Sequence, residues 1–500
     1  MSRQRVARNA LFSVGQVVFS ALALLGTYWL MMRALSIDEI GLWSLVVGST
    51  LVARLSELGL GAGVLRFVAG DLARHDADKA AQTVGMAALG VGVLVGALAL
   101  ALQPALAGYL HRVTPPHLRA AVDMLLPAAL LGVVLGAVAN VFTSALDGAQ
   151  RMDLRAAIQV GGSLVQLGLT GLILPRLGVG GLGWVQVGQA GFLLVLTALA
   201  TVRLIGRPLR AYGGIDRVRL RELLTYGGSL QISALAQLLF EPLLKLLLAT
   251  FSGLALTGYF DMANRIVVQF RSLVVAAYGA LVPHVAAQTG DGAIDPAQVR
   301  AIYHEAVALL LFALLPYFAV VAAGLPLALV LWKGHFDATF LQVALFQFAA
   351  WTLNLFALPA YLLYVGMGRL RWTMLSHVAI GLIMLVAGSL GGALLGGGGV
   401  IAAGGLALVA GSGLVLIAFR REFGVERALQ ARPPWLPGAV LVGAALSASV
   451  LVSVTMLAPR WPVLLGLPAV TAVLAAIVAW SDPMRQTALA QVRTLRRRQT

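Results

Sequence analysis

The chain has 500 residues, of which 60% are hydrophobic and 11% are charged, and its mean hydropathy is +0.90. These values exclude a string of soluble domains, and apolar runs of about 18 to 25 residues predict a polytopic membrane protein built of helices. In such a protein the basic residues that produce the net charge of +16 are distributed unequally between the two sides of the membrane. The charge therefore does not indicate a nucleic-acid partner, and none is expected. The lack of cysteine excludes disulfides and thiolate metal sites.

We predict an all-α fold with about fourteen transmembrane helices. They cover residues 10–32, 41–65, 82–103, 122–146, 155–175, 180–202, 222–250, 254–285, 303–332, 338–365, 372–393, 397–419, 436–457 and 461–480. Arg3, Arg5 and Arg8 precede the first span as in a signal sequence, but no small-residue cleavage site follows, so we interpret this span as retained. The glycines at 396–399 predict a short turn between two spans.

The distribution of basic residues predicts the orientation. Of the 36 Lys and Arg residues, 26 fall in the segments that share a side with the N-terminus, 6 in the opposite segments and 4 within spans. Cytoplasmic loops carry the excess of Lys and Arg, so both termini are predicted to be cytoplasmic.

Two longer loops, 203–221 and 286–302, suggest how the chain is organised. We predict an N-terminal six-helix lobe (1–210), a C-terminal six-helix lobe (211–422), and a terminal helix pair with a basic tail (423–500). A shift of 217 residues aligns Gly41 with Gly258 and Arg54 with Arg271 without a gap. Both segments are second spans of their blocks, as in the parallel repeats of transporters.

Charged residues inside the spans are the main candidates for function, because each costs about 2.5 to 3.5 kcal/mol at the centre of a membrane helix. Glu241 and Lys245 are four residues apart, as are Asp261 and Arg265, while Arg54 and Glu57 are three apart. These spacings allow ion pairs on one helix face. They fit either helix registry or a water-filled cavity lined with cations.

Arg271 differs from these pairs, because no acid lies three or four residues away on its helix. Its partner is then an acid on another span, cavity water, a backbone carbonyl or a substrate anion, and an arginine fork suits phosphate. Counted along the helices, Arg54 and Arg265 are the deepest cations, whereas Glu241 and Lys245 lie nearer the outer surface. Two roles fit this outer pair, a gate or a helix anchor.

Several short motifs resemble those of bacterial flippases that export lipid-linked oligosaccharides for polysaccharide synthesis. In the first block they are 8–10 (RNA), 35–43 (LSIDEIGLW), 57–61 (ELGLG) and 66–69 (RFVA), and in the second block 241–245 (EPLLK), 258–265 (GYFDMANR) and 281–283 (LVP). The likeness extends over roughly residues 5–300, and topology alone supports the remainder. This chain has Glu57 and Glu241 where the family commonly has aspartate, which leaves the charge in place.

The resemblance implies two six-helix lobes in a V around a cationic cavity, in the superfamily that includes multidrug extruders. It implies transport of undecaprenyl-diphosphate-linked sugar repeats from the cytoplasmic to the periplasmic leaflet of the bacterial inner membrane, without covalent catalysis. Membrane lipid, a polysaccharide polymerase and the chain-length machinery are the partners it implies. No cofactor is expected, and a gradient of H+ or Na+ is a candidate driving force.

The combined hypothesis assigns the diphosphate to three arginines, supported by five further polar residues. The substrate-binding residues are Arg54, Arg265 and Arg271, and the supporting or gating residues are Glu57, Asp261, Asn264, Glu241 and Lys245.

Two other functions remain alternatives. One is a multidrug extruder, which would need acids to bind a cationic drug. The other is a membrane polymerase or glycosyltransferase, but the segment 104–121, the longest on the outer side, is short for a catalytic domain. Its His111 and His117 lack any acidic partner close by, so we expect them to be surface residues.

Overall fold

The computed structural model describes residues 3–50, 60–207, 213, 216–278, 295–425, 436–456 and 460–481, and all regular elements in these ranges are helices. The α-helices are α1 (Arg3–Ala34), α2 (Ile37–Thr50), α3 (Leu60–Ala73), α4 (Ala77–Val113), α5 (Arg119–Gly148), α6 (Met152–Leu177), α7 (Leu182–Ile205), α8 (Arg217–Tyr278), α9 (Pro296–Lys333), α10 (Ala338–Leu355), α11 (Leu358–Gly366), α12 (Arg371–Phe423), α13 (Leu436–Thr455) and α14 (Trp461–Ser481). Short 3-10 helices at Pro116–Leu118 and Gly178–Gly181 precede α5 and α7.

Many of these helices are long and apolar enough to cross a membrane. In the described ranges nine stretches meet that condition. Two of them, Met152–Ile205 and Arg371–Phe423, contain 54 and 53 residues, and α8 contains 62, whereas a single crossing takes about 20. Each of these three stretches is therefore long enough for two passes. The predicted all-α polytopic membrane protein is confirmed.

Glycine marks two of the sharp turns between passes. Gly253 in α8 has φ 79° and ψ −173°, and Gly396 in α12 has φ 64° and ψ −149°. Backbone angles in this region are open essentially to glycine, because a Cβ would clash with the neighbouring peptide. The turn predicted at residues 396–399 is confirmed at Gly396, and the predicted gap between residues 250 and 254 contains Gly253.

Proline divides one predicted span. The span expected at 338–365 is two helices, α10 ending at Leu355 and α11 beginning at Leu358. Pro359 stands in the first turn of α11, where its missing N–H leaves no hydrogen bond unmade. Within a continuous helix the Pro359 ring would clash with the carbonyl of Leu355, four residues earlier, and α10 ends at that residue.

The chain divides into two compact units. Unit 1 comprises residues 1–258 and 392–400, and unit 2 comprises residues 259–391 and 401–500. In unit 1, α5 packs against α3, α4 and α7, while α6 packs against α1; in unit 2, α9 packs against α13 and α14. The lobe boundary near residue 210 and the separate terminal pair from residue 423 stay predictions.

Candidate substrate-binding site

The ion pair predicted between Glu241 and Lys245 is present in unit 1. Lys245 Nζ lies 2.8 Å from Glu241 Oε1, and the Lys245 side chain is 1% exposed while that of Glu241 is 36% exposed. The aliphatic stem of Lys245 packs against Gly48 of α2, where an added Cβ would lie 3.0 Å from Lys245 Cδ. The lysine is thus held by packing as well as by charge, and its buried stem ties α8 to α2.

The predicted pair of Asp261 and Arg265 is present in unit 2. Arg265 Nη2 lies 3.6 Å from Asp261 Oδ1, and the arginine side chain is 33% exposed while the aspartate is fully buried. Nearby, the Gln347 side chain donates a hydrogen bond of 3.0 Å to the Phe260 carbonyl, which fixes α10 against this turn of α8. The buried acid needs its arginine, whereas the arginine side chain is only partly buried.

Arg271 lies against aromatic rings of unit 2. Its guanidinium carbon is 4.6 Å from the centre of the Trp351 ring, which is a cation–π geometry. Tyr361 and His377 lie within electrostatic range of the same guanidinium, and their rings are 6.0 Å apart in an edge-on arrangement. Arg271 Nε and His377 Nε2 are buried and have no hydrogen-bond partner among the described residues. The structure thus assembles a cation, two aromatic rings and an imidazole from α8, α10, α11 and α12.

The structure does not join Arg265 and Arg271 into one cluster. Six residues of α-helix rotate a side chain by about 600°, so the two arginines leave the helix in directions about 120° apart. Their contacts differ accordingly, with Asp261 beside one and Trp351 beside the other. Asn264 is buried on the same helix at 7% exposure. Arg54 and Glu57 lie outside the described residues.

Sequence reasoning missed most of the neighbours of Arg271. His377 stands out as a polar residue within an apolar span, but Trp351 and Tyr361 are ordinary residues in a membrane helix. The available signal is an aromatic pair and a histidine on the three consecutive helices α10, α11 and α12. Spacing within one helix could not show that they meet, because each residue comes from a different helix.

A second polar cluster lies at the turn between α9 and α10. Asp337 accepts a hydrogen bond of 2.7 Å from the Tyr259 hydroxyl and another of 3.1 Å from the Phe340 N–H, and it forms an ion pair with Lys333. Burial raises the pKa of Asp337, but these hydrogen bonds outweigh burial and hold the pKa below its ordinary value of 3.8. The carboxylate therefore caps α10 in its charged form.

One expectation about the segment 104–121 is wrong. His111 Nε2 lies 2.8 Å from Asp123 Oδ1, so this histidine does have an acidic partner, contributed by α5 rather than by its own segment. Both side chains are exposed, at 38% and 65%, which leaves the pair on the surface. No cluster of three or more His, Asp and Glu side chains suited to a metal ion occurs among the described residues.

The fold is shared with solved membrane transporters. The lipid II flippase MurJ in its inward closed conformation aligns with a TM-score of 0.68 at 12% identity, covering 96% of this chain and 99% of that one. An inward-facing multidrug resistance MATE family transporter of the MOP superfamily aligns at 0.64 with 14% identity, covering 84% and 100%. The Vibrio cholerae MATE transporter VcmN in its bent form aligns at 0.53 with 16% identity, covering 85% and 99%. At these identities the likeness shows the fold alone.

No curated protein matches the sequence. A family model described as "Polysaccharide biosynthesis protein" matches residues 30–332, which is more than half of the chain. The matched range includes both ion pairs and Arg271. This multi-pass membrane protein therefore belongs to the polysaccharide biosynthesis protein family.

Proposed function

We propose that this protein is a flippase for undecaprenyl-diphosphate-linked oligosaccharides of surface polysaccharide synthesis. It moves repeat units from the cytoplasmic to the periplasmic leaflet of the bacterial inner membrane by alternating access, with both termini cytoplasmic. The charged headgroup must be sheltered from hydrocarbon while the polyprenyl tail stays in lipid. Membership of the polysaccharide biosynthesis family and the fold shared with a lipid II flippase support the proposal.

The environment of Arg271 is the observation that best supports the proposed transport of a diphosphate-linked lipid. A guanidinium inside a membrane helix is costly unless an anion or several acceptors meet it. The described residues around Arg271 supply rings and no hydrogen-bond partner for its Nε. A diphosphate would supply that charge in the bidentate geometry that arginine favours, and adjacent aromatic rings suit the apolar faces of sugars.

The two ion pairs take different parts in this proposal. Arg265 contributes its exposed edge to the headgroup while Asp261 orients it, with Asn264 beside them. Glu241 and Lys245 serve as an anchor for α8, since the lysine is packed and nearly inaccessible. The roles of Arg54 in substrate binding and of Glu57 in supporting it stay predictions from the sequence.

A multidrug extruder is the second candidate, favoured by the fold shared with MATE transporters. A cationic drug would need an available acid. Asp261 is fully buried beside Arg265, and the contacts of Arg271 in unit 2 are rings, so the described site offers cations more readily than acids. This charge balance favours an anionic cargo.

Gene deletion with complementation tests the proposal. We expect deletion to accumulate complete lipid-linked repeat units in the cytoplasmic leaflet, and wild-type protein to clear them. Arg271→Gln should fail to clear them at normal protein level, whereas Arg74→Gln, an exposed arginine elsewhere in unit 1, should succeed. Accumulation of unpolymerised units in the periplasmic leaflet would instead indicate a polymerase, and normal leaflet distribution with raised drug sensitivity an extruder.

A further inference from the structure

Each unit carries an apolar groove bordered by arginines, apart from the charged residues considered above. In unit 2 the groove has a volume of about 1130 Å³ and lies between the two halves of α12, with Leu414 and Ile417 on its floor and Arg371 and Arg421 at one end. In unit 1 a smaller groove of about 450 Å³ lies between α6 and α7, with Leu196 and Leu199 inside and Arg151 and Arg203 at its end.

The two grooves lie at corresponding places in the chain, at a separation one residue longer than the 217 that relates Gly41 to Gly258. Of the eight positions that line the smaller groove, seven match lining positions of the larger one at a constant separation of 218 residues: 151 and 369, 154 and 372, 196 and 414, 199 and 417, 200 and 418, 203 and 421, 204 and 422. Arginine recurs at both ends of the match, at 151 and 369 and at 203 and 421, and leucine recurs at 196 and 414. Both units thus contain a groove with corresponding lining positions.

Both grooves carry excess positive charge. Arg369 is paired with Glu422 at 2.6 Å and Arg151 with Asp153 at 3.0 Å. Within the described part of the chain, no acid is paired with Arg371, Arg421 or Arg203. The segments that hold these arginines all fall on the side predicted to be cytoplasmic, where anionic lipid headgroups attract basic side chains.

The length of the larger groove suits one acyl chain. Its lining runs along α12 from Ala410 to Arg421, and eleven steps of helix cover about 16 Å. One leaflet of hydrocarbon is half of about 30 Å. Trp372 lies at the charged end, with the Arg371 guanidinium 5.3 Å from its ring centre, and tryptophan is typical of the headgroup level of a membrane.

We propose that each groove binds an anionic phospholipid of the cytoplasmic leaflet, with its phosphate at the arginines and one acyl chain along the apolar floor. This inference does not rest on the proposed transport function. It uses the predicted orientation only to name the leaflet.

Native mass spectrometry of the purified full-length protein, with phosphatidylglycerol or phosphatidylcholine added, tests the proposal. We expect the wild type to retain phosphatidylglycerol preferentially. The wild type should retain two such lipids, and Arg371→Gln combined with Arg421→Gln should weaken the binding of one of them, the lipid of the unit 2 groove, roughly 30-fold, since each basic residue near a membrane surface contributes about a fivefold gain. Binding of phosphatidylcholine should not change. Arg74→Gln, which removes an exposed arginine outside both grooves, is the matched control.

A second variant probes the floor of the groove. Gly413 lines the groove, and a Cβ there would meet nothing within 4 Å, so Gly413→Leu adds a side chain at the groove and should reduce phosphatidylglycerol binding while the protein stays folded. Gly381→Leu places the same side chain at another open glycine of α12, outside the groove, and should leave binding unchanged. This pair decides the question if the double arginine variant does not fold.

Three results would overturn the proposal: equal retention of the two lipids by the wild type, unchanged binding of both phosphatidylglycerol molecules in the two variants of the unit 2 groove, or displacement of phosphatidylglycerol from the grooves by equimolar undecaprenyl diphosphate. The last result would assign the grooves to a polyprenyl lipid.

Discussion

Gly41 of α2 and Gly258 of α8, which a shift of 217 residues makes equivalent, pack against each other's helix. A Cβ added to Gly41 would overlap the Leu254 carbonyl oxygen, and one added to Gly258 would lie 2.6 Å from the Ile37 carbonyl oxygen. Ile37 and Leu254 are themselves 217 residues apart, so the contact is reciprocal. Small residues allow such close backbone approach between membrane helices.

Enlarging either glycine should therefore destabilise unit 1. We expect Gly41→Val to lower the free energy of unfolding by about 1 to 3 kcal/mol, because the opposing atom is backbone and cannot move aside. Thermal unfolding of the detergent-solubilised protein measures the effect. Gly90→Ala, at a helical glycine with open space, should be neutral or slightly stabilising. Equal melting of Gly41→Val and wild type would contradict the close contact.

Loss of the Arg271 charge should reduce substrate binding. Removing a charge-assisted hydrogen bond costs about 1.5 to 3 kcal/mol, or roughly 10- to 150-fold in affinity. We expect Arg271→Gln to lose the stabilisation that undecaprenyl diphosphate gives the wild type, measured as a shift of the melting temperature against undecaprenol. Arg271→Lys should keep part of it, since it retains charge without the fork. If undecaprenyl diphosphate shifts the melting temperature of Arg271→Gln as much as that of the wild type, this arginine contributes to packing and not to substrate binding.

Trp351 should matter for the sugar more than for the diphosphate. We expect Trp351→Leu to leave binding of undecaprenyl diphosphate within a few-fold of wild type, because the cation–π contact contributes only about 0.5 to 2 kcal/mol. Export of the complete glycan-bearing lipid should fall further, since a stacking surface is lost. The two lipids are compared in the same vesicle assay, and equal losses for both would argue against a sugar contact.

Arg265 has a structural partner as well as a proposed ligand, and a double variant separates the two roles. Arg265→Gln leaves the buried Asp261 without its arginine, which is costly in a low-dielectric site, so we expect a lower protein level and no export. Combining it with Asp261→Asn removes the buried charge and should restore the level while export stays lost. Restored export in the double variant would show that Arg265 serves only to balance Asp261.

The carboxylate of Asp337 should make stability depend on pH. Its pKa is lowered in the folded protein from the ordinary value of 3.8, so its contribution to the free energy of unfolding is present above that value and is lost as the pH falls through the folded pKa. Asp337→Ala, which removes the cap of α10 and the Tyr259 contact, should melt earlier than wild type at pH 7. The difference should narrow toward pH 3, and a constant difference would point to packing instead.

The sequence was sufficient where one helix decides the outcome. The apolar runs indicate the membrane helices, the i, i+4 spacing predicts the Glu241–Lys245 and Asp261–Arg265 pairs, and glycine clusters predict turns. It was insufficient where several helices meet, as around Arg271 or at the contact of His111 with Asp123. Nor did it predict the break before Pro359, because a proline in an apolar run can kink a helix or end it.

Because residues 392–400 belong to unit 1, a single cut in the chain cannot divide the protein into two complete units. A Cβ on Gly392 or Gly397 would overlap Phe251 or Ser252, so this turn packs on the turn at Gly253. The chain passes from one unit to the other at three points, after residues 258, 391 and 400. A single cut after residue 258 would therefore not release two complete halves, because the N-terminal fragment would lack a piece that the C-terminal fragment carries. Fragments 1–258 and 259–500 should therefore form a folded protein when they are co-expressed, but not when they are produced separately and then mixed.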